Sequence, residues 1–453
     1  MARRILLLAA PVIVAMLTQT GVNIVDTYFI GKLPASVASD GQSALTPSLM
    51  LLWAIGGFLS SISVGTQATT ARRFGEGDLK AAGAVVPNAV FVAAVGGVIA
   101  TVAGWFFIPT AFRALSGNEH VVALGTAYTR WRFVGIASMA ATAAYKSFYD
   151  GVGRTHLHLV AALAMNVVNA ALCWLLIFGN LGMPAMGVAG AGVAACVSSW
   201  IGCFVMVLLS LRKADRETFA FYRPGVLSGT MMKQLVALSV PGGIATTAVM
   251  AGFLMFTKVV GSIDDAARAA GAAAAYNGAA TTIIIEVLSA TFVSCLAFGT
   301  ATATLVGQSM GEGNPDRAER YAWTSVKLGV MIFGVIGVLM FAFPNEVLGA
   351  FNHAPEVIAA GRTPMRIMAC MGAVIATAMI LTQALFGAGE TRFVMVAELV
   401  LHFGCLVPLA YVFGRLLDWG LVGVWLAAAT YGVALATAMV VKFTRGGWKR
   451  LTL

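Results

Sequence analysis

Two stretches of the chain read alike: "TTARRFGEGDLKAAG" at residues 69–83 and "LVGQSMGEGNPDRAER" at residues 305–320. Each follows a long apolar run. The glycines of their GEG triplets, Gly75/Gly77 and Gly311/Gly313, stand 236 residues apart. The same offset of 236 relates Gly151/Gly153 in "SFYDGVGRT" (147–155) to Gly387/Gly389 in "ALFGAGETR" (384–392). Pro11 and Gly31 in the first apolar run match Pro241 and Gly261 in the seventh at an offset of 230. Three coincidences at nearly one offset describe an internal duplication, so the fold is two copies of one unit.

The composition says where such a unit resides. Of the 453 residues 59% are hydrophobic and 11% charged, against about a quarter charged in soluble proteins; the mean hydropathy is +0.87. The apolar runs last about 20–30 residues, and a spanning helix needs about 20. A membrane β-barrel is excluded, because its strands would alternate polar and apolar residues over about 10 positions. Twelve helices are expected, at 5–30, 44–70, 82–108, 121–145, 157–179, 187–211, 234–257, 271–306, 321–343, 357–386, 393–414 and 420–442. The first is read as a span rather than a cleaved signal, since its apolar run continues through Ile30. Six helices per copy make the repeat a parallel one, about an axis along the membrane normal. The expected organisation is an N-lobe (1–211), a cytoplasmic linker (212–233) and a C-lobe (234–453).

With a cytoplasmic N-terminus, 20 of the 29 Lys and Arg residues fall on the inner side. The positive-inside rule then places both termini in the cytoplasm. The net charge of +10 does not imply nucleic-acid binding, because the basic residues are scattered through the connectors. The six cysteines all lie in apolar segments, so no disulfide framework is expected.

Charges inside such helices are costly and mark function. In the first helix Gln19, Asn23 and Asp26 follow i, i+4, i+7 spacing and form one polar stripe. In the fifth, Asn166, Asn169 and Cys173 form a second stripe at i, i+3, i+7. Glu286 stands midway along "TTIIIEVLSATF" (281–292), far from any other charge, and is expected to need an internal partner. Glu398 and His402 share a face of the eleventh helix, and a histidine beside a carboxylate can relay protons. Pro11 removes a helix hydrogen bond and is a candidate hinge. Arg130 and Arg132, flanking Trp131, read as an interfacial anchor; pointing inward, they would instead suit an anionic or lipid-linked substrate.

"PVIVAMLTQTGVNIVDTYFIGKLP" (11–34), the connector GEG-D-x-x-x-A (75–82), "FYDGVGRT" (148–155) and "NAALCWLLIFGNLGMPAMGVAGAGVA" (169–194) together resemble the multidrug and toxic compound extrusion (MATE) family, most closely its DinF-like branch. The likeness runs over essentially the whole chain. It implies an all-α polytopic fold of twelve helices in two six-helix lobes forming a V. It also implies secondary active efflux by alternating access, driven by H+ or Na+. In the family the aspartate matching Asp26 works with residues matching Asn169 and Cys173, and some members carry a second acid at the latter position. A thiol there is a poor sodium ligand, so H+ is the expected coupling ion and Na+ the alternative. The C-lobe acids do not match the family pattern. The expected substrates are small, lipophilic, cationic molecules. The expected surroundings are lipid at the plasma (inner) membrane, with a monomeric chain, no nucleic acid and no cofactor beyond the ion. A flippase of lipid-linked precursors in the same superfamily is the alternative.

No enzyme is expected. "GQSMG" (307–311) matches G-x-S-x-G, yet it ends an apolar helix where hydrolase chemistry needs a strand–turn–helix elbow. There is neither an H-E-x-x-H zinc motif nor a G-x-x-x-x-G-K-[ST] phosphate loop.

Overall fold

The computed structural model describes residues 1–115, 118–269 and 276–452, with backbone alone at 19–21, 35, 36 and 115. All twelve expected runs are helical where they are described, residues 271–275 of the eighth lying outside the described residues: α1 (Ala2–Gly31), α2 (Val37–Gly75), α3 (Leu79–Leu115), α4 (119–151), α5 (His156–Phe178), α6 (Val188–Ser210), α7 (Gly229–Ala269), α8 (Tyr276–Gly311), α9 (Pro315–Ala342), α10 (355–388), α11 (Thr391–Leu416) and α12 (Gly420–Thr444). No strand occurs among the described residues. Ten of these helices are long and apolar enough to cross a bilayer unaided. In α10 the pieces Pro355–Cys370 and Gly372–Ala388 meet at 51° and together make an eleventh span. Only α4 falls short, because Gly135 divides it into Glu119–Val134 and Ile136–Gly151, 16 residues each.

The duplication is visible in the backbone. Gly77 and Gly313 have φ of +81° and +70°; Gly153 and Gly389 have +80° and +92°. These are left-handed values that end a helix and that glycine adopts without steric cost. The repeated glycines are therefore the stops after α2, α8, α4 and α10. Pro11 and Pro241 both lie inside continuous helices.

The chain divides into two compact units. The N-terminal unit comprises Leu8–Thr246 with Gly311–Gly313; the C-terminal unit comprises Thr247–Met310 and Asn314–Thr452 with Met1–Leu7. The division thus falls within α7. In the N-terminal unit, helices approach where side chains are smallest. A Cβ on Gly190 would lie 2.6 Å from the carbonyl oxygen of Leu176, and one on Gly192 2.5 Å from that of Tyr128. Small residues allow this close backbone packing in membranes. The C-terminal unit has its core around Phe256, Ile284, Met365 and Trp425.

The connector after α6 is bound to the N-terminal unit. Phe219 and Phe221 are buried against Phe148. Asp215 pairs with Arg154, and the Tyr222 hydroxyl lies within hydrogen-bond reach of Tyr145 (2.8 Å) and Ser210 (2.6 Å). Buried Asn88 on α3 donates to the carbonyls of Ala84 (2.8 Å) and Val226 (2.9 Å), and its Oδ1 accepts from the Ser228 amide (2.8 Å). All six cysteines are free.

Candidate functional site

Asp26 is 1% exposed, and four side chains from two other helices converge on it. The Tyr128 hydroxyl donates to Oδ2 at 2.7 Å. Asn169 Nδ2 and Cys173 Sγ donate to Oδ1 at 3.5 and 3.4 Å. Arg132 Nη1 lies 4.0 Å from Oδ2, while its Nη2 donates to Asn23 Oδ1 at 3.4 Å. The guanidinium also lies over the Tyr128 ring, 5.7 Å from the centroid.

The spacings explain the convergence. Asn23 and Asp26 on α1, Tyr128 and Arg132 on α4, and Asn169 and Cys173 on α5 are three or four residues apart, so each pair shares a helix face. Tyr128, Asn169 and Cys173 are fully buried in a core with Ile30, Ile177 and Val188. Gly192 on α6 lets the α4 backbone come close behind Tyr128. Every polar group touching Asp26 is a donor, an arrangement complementary to an ionised carboxylate.

Arg132 corrects the expectation of an interfacial anchor. Its side chain is only 12% exposed and turns inward to the carboxylate. Arg130 behaves as expected of an anchor, donating to the Trp105 carbonyl at 3.1 Å and stacking over that ring at 5.0 Å. Tyr128 was also missed as a candidate. The available signal was the i, i+4 pair Tyr128–Arg132, which puts a hydroxyl and a cation on one face of an otherwise apolar helix.

Other candidates fall elsewhere. Asn166 does not join the cluster: its amide donates to the Ala162 carbonyl of its own helix at 2.9 Å, the ordinary local bond of a polar residue in an apolar helix. The Gln19 side chain lies outside the described residues. α1 runs through Pro11 as one continuous helix.

Glu286 is exposed, contrary to the internal partner expected, and its carboxylate makes no hydrogen bond or ion pair among the described residues, although its carbonyl accepts from the Ser289 hydroxyl at 2.7 Å. The helix period is the reason. Ile284, Leu288, Thr291 and Cys295 form the buried face of α8. Glu286 falls with Thr282 and Ser289 on the opposite, exposed face. Glu398 and His402 do meet, with Nδ1 3.2 Å from Oε2, and the Tyr431 hydroxyl of α12 donates to the same Oε2 at 3.0 Å.

The chain matches the MatE family over residues 11–175 and 241–412, one stretch in each half of the duplication. It is 25% identical to a probable multidrug resistance protein NorM of Thermotoga maritima, over 99% of this chain and 93% of that protein. With the multidrug resistance protein PmpM of Pseudomonas aeruginosa it shares 26% identity over 92% of this chain and 84% of the relative. A crystal structure of a MATE protein in its bent conformation superposes with a TM-score of 0.86 at 19% identity, covering 98% of this chain and 94% of the other. An all-α polytopic membrane architecture, a duplicated helix set and matches in both halves make this chain a member of the multidrug and toxic compound extrusion family.

Proposed function

We infer that this chain exports small lipophilic cations across the inner membrane by alternating access, in exchange for protons carried by Asp26. The observation that carries the reading is the buried carboxylate facing Tyr128, Asn169, Cys173 and the Arg132 guanidinium. One proton on Asp26 would cancel its charge and release Arg132, so protonation and rearrangement of α1 against α4 are linked. Sodium is disfavoured at this place. It seeks several hard oxygen ligands, whereas Asp26 is met by one tyrosine hydroxyl, a thiol and an amide nitrogen, with a cation already 4.0 Å away.

The cationic substrate class is supported by Glu286. It stands within the apolar run of α8, 18 residues after Arg268 and 26 before Glu312, the nearest charges along the chain, which puts it well inside a hydrocarbon core about 30 Å thick. An exposed carboxylate at that depth costs several kcal/mol in lipid, so its face is a wetted one that a cation can approach. Both relatives are named for multidrug resistance, which supports export of small compounds. The excess of basic residues on one side supports cytoplasmic termini. Arg132 is engaged by Asp26 and Asn23, which leaves the anionic, lipid-linked substrate without a free cation at this site. Each proton entering down 100 mV supplies about 2.3 kcal/mol.

The test uses purified chain in proteoliposomes, with proton and sodium gradients imposed separately and ethidium-type dye followed. Movement driven by the proton gradient alone and lost in Asp26→Asn is expected. Movement driven by sodium alone, or intact in Asp26→Asn, would overturn the assignment.

A further inference from the structure

We propose that Glu398, His402 and Tyr431 form a second proton-binding centre, confined to the C-terminal unit and separate from Asp26. The three side chains come from two helices. Glu398 and His402, on successive turns of α11, are 8% and 2% exposed. Tyr431 reaches them from α12, its ring 4.5 Å from the imidazole. The His402 Nδ1–H donates to the Glu398 carbonyl at 2.9 Å, and Glu398 Oε2 lies 3.2 Å from the same nitrogen. Nδ1 is therefore the protonated nitrogen of the neutral ring, and Nε2 carries the lone pair. Nε2 has no hydrogen-bond partner among the described residues.

The backbone is built around this ring. α11 leaves regular α-helix at His402, where residues His402–Leu406 form a wide turn; such turns occur frequently at functional sites. From the other side α7 presents Gly252, where a Cβ would lie 2.6 Å from His402 Cδ2. Only glycine leaves room for the imidazole. Two independent adjustments thus hold one histidine beside one carboxylate within a membrane span.

The charge balance makes this a proton site. With a neutral ring the cluster carries −1 from Glu398. A proton taken up at Nε2 makes imidazolium beside carboxylate, net zero, with no other bond broken. The groups facing it can compensate neither state. On α11 the remaining titratable neighbour is Cys405. On α12 Lys442 pairs with Glu390 at 3.0 Å. The Gly372–Ala388 piece of α10, packed on α11, has no titratable side chain. Along α7 the titratable residue nearest Gly252 is Lys258, which is exposed. A proton bound here is thus felt where α7, α11 and α12 meet, the elements that a transport cycle would have to move.

The test counts protons. Purified chain in detergent is titrated between pH 8 and pH 5, and the His402 imidazole is followed by nitrogen-15 resonance among the five histidines. The His402 resonances should move with pH, and His402→Gln should take up one proton fewer than wild type. Glu398→Gln should displace the His402 titration, and Tyr431→Phe, which deletes only a hydroxyl, should displace it less while keeping the count. If His402→Gln does not fold, the Tyr431→Phe chain decides: a His402 resonance that titrates supports the centre. Static His402 resonances with unchanged proton uptake in Glu398→Gln would reduce the triad to a structural bridge and overturn the proposal. Combined with Asp26→Asn the losses should add. A loss in His402→Gln with none in Asp26→Asn would keep this centre and remove the role given to Asp26.

Discussion

Arg132 offers the sharpest test of how Asp26 works. Its Nη1 stands 4.0 Å from the carboxylate. Two unit charges at that distance attract by about 4 kcal/mol at an effective dielectric constant of about 20. Arg132→Gln keeps donors and much of the volume but removes that attraction. The ionised form of Asp26 loses its counter-charge, so the variant holds its proton more firmly than wild type does. The Coulomb figure corresponds to about three decades in proton affinity, and relaxation reduces it toward the one to three units seen for adjacent opposite charges. The assay is the initial rate of proton-driven dye transport in proteoliposomes, taken as a function of pH at a constant pH difference. The limb of the profile that reports proton release should move up by one to three units in Arg132→Gln. In Arg132→Lys, which keeps the charge, it should move by much less. An unmoved profile in Arg132→Gln, alongside full loss in Asp26→Asn, would show that the guanidinium does not set the proton affinity of the site, and the linked release of Arg132 would fall.

Two further outcomes follow from contacts elsewhere. Glu286→Gln should lower transport of a cationic dye tenfold or more while sparing an uncharged substrate; equal effects on both would remove the recognition role of its face. Asn88→Ala strands the Val226 carbonyl and the Ser228 amide, a cost of about 2 kcal/mol. In detergent its Tm should fall by about 4–8 °C, and an unchanged Tm would show that this segment is held by Phe219 and Phe221 alone.

Much of this molecule was legible without coordinates. An apolar run long enough to cross a bilayer must close its own hydrogen bonds, and the helix is the local way to do so; length and composition therefore sufficed for the twelve helices. The GEG repeat was equally readable, because a left-handed helix stop selects glycine whatever surrounds it, as Gly77 and Gly313 show. Asn23 with Asp26, and Asn169 with Cys173, could each be put on one face of a helix because residues three or four apart share a face; that the two faces work together was implied only by the family resemblance. What could not be read was which faces meet. α4 is broken at Gly135 and turns Arg132 inward while its neighbour Arg130 stays at the surface. That distinction depends on the rotation of one helix about its axis, fixed by where Gly192 lets α6 approach. The outward turn of Glu286 and the arrival of Tyr431 beside Glu398 have the same origin. Helix existence is a property of one segment and its solvent. The pairing of a carboxylate with a cation, or with a histidine and a tyrosine, depends on how several segments pack, and the tertiary structure alone decided it.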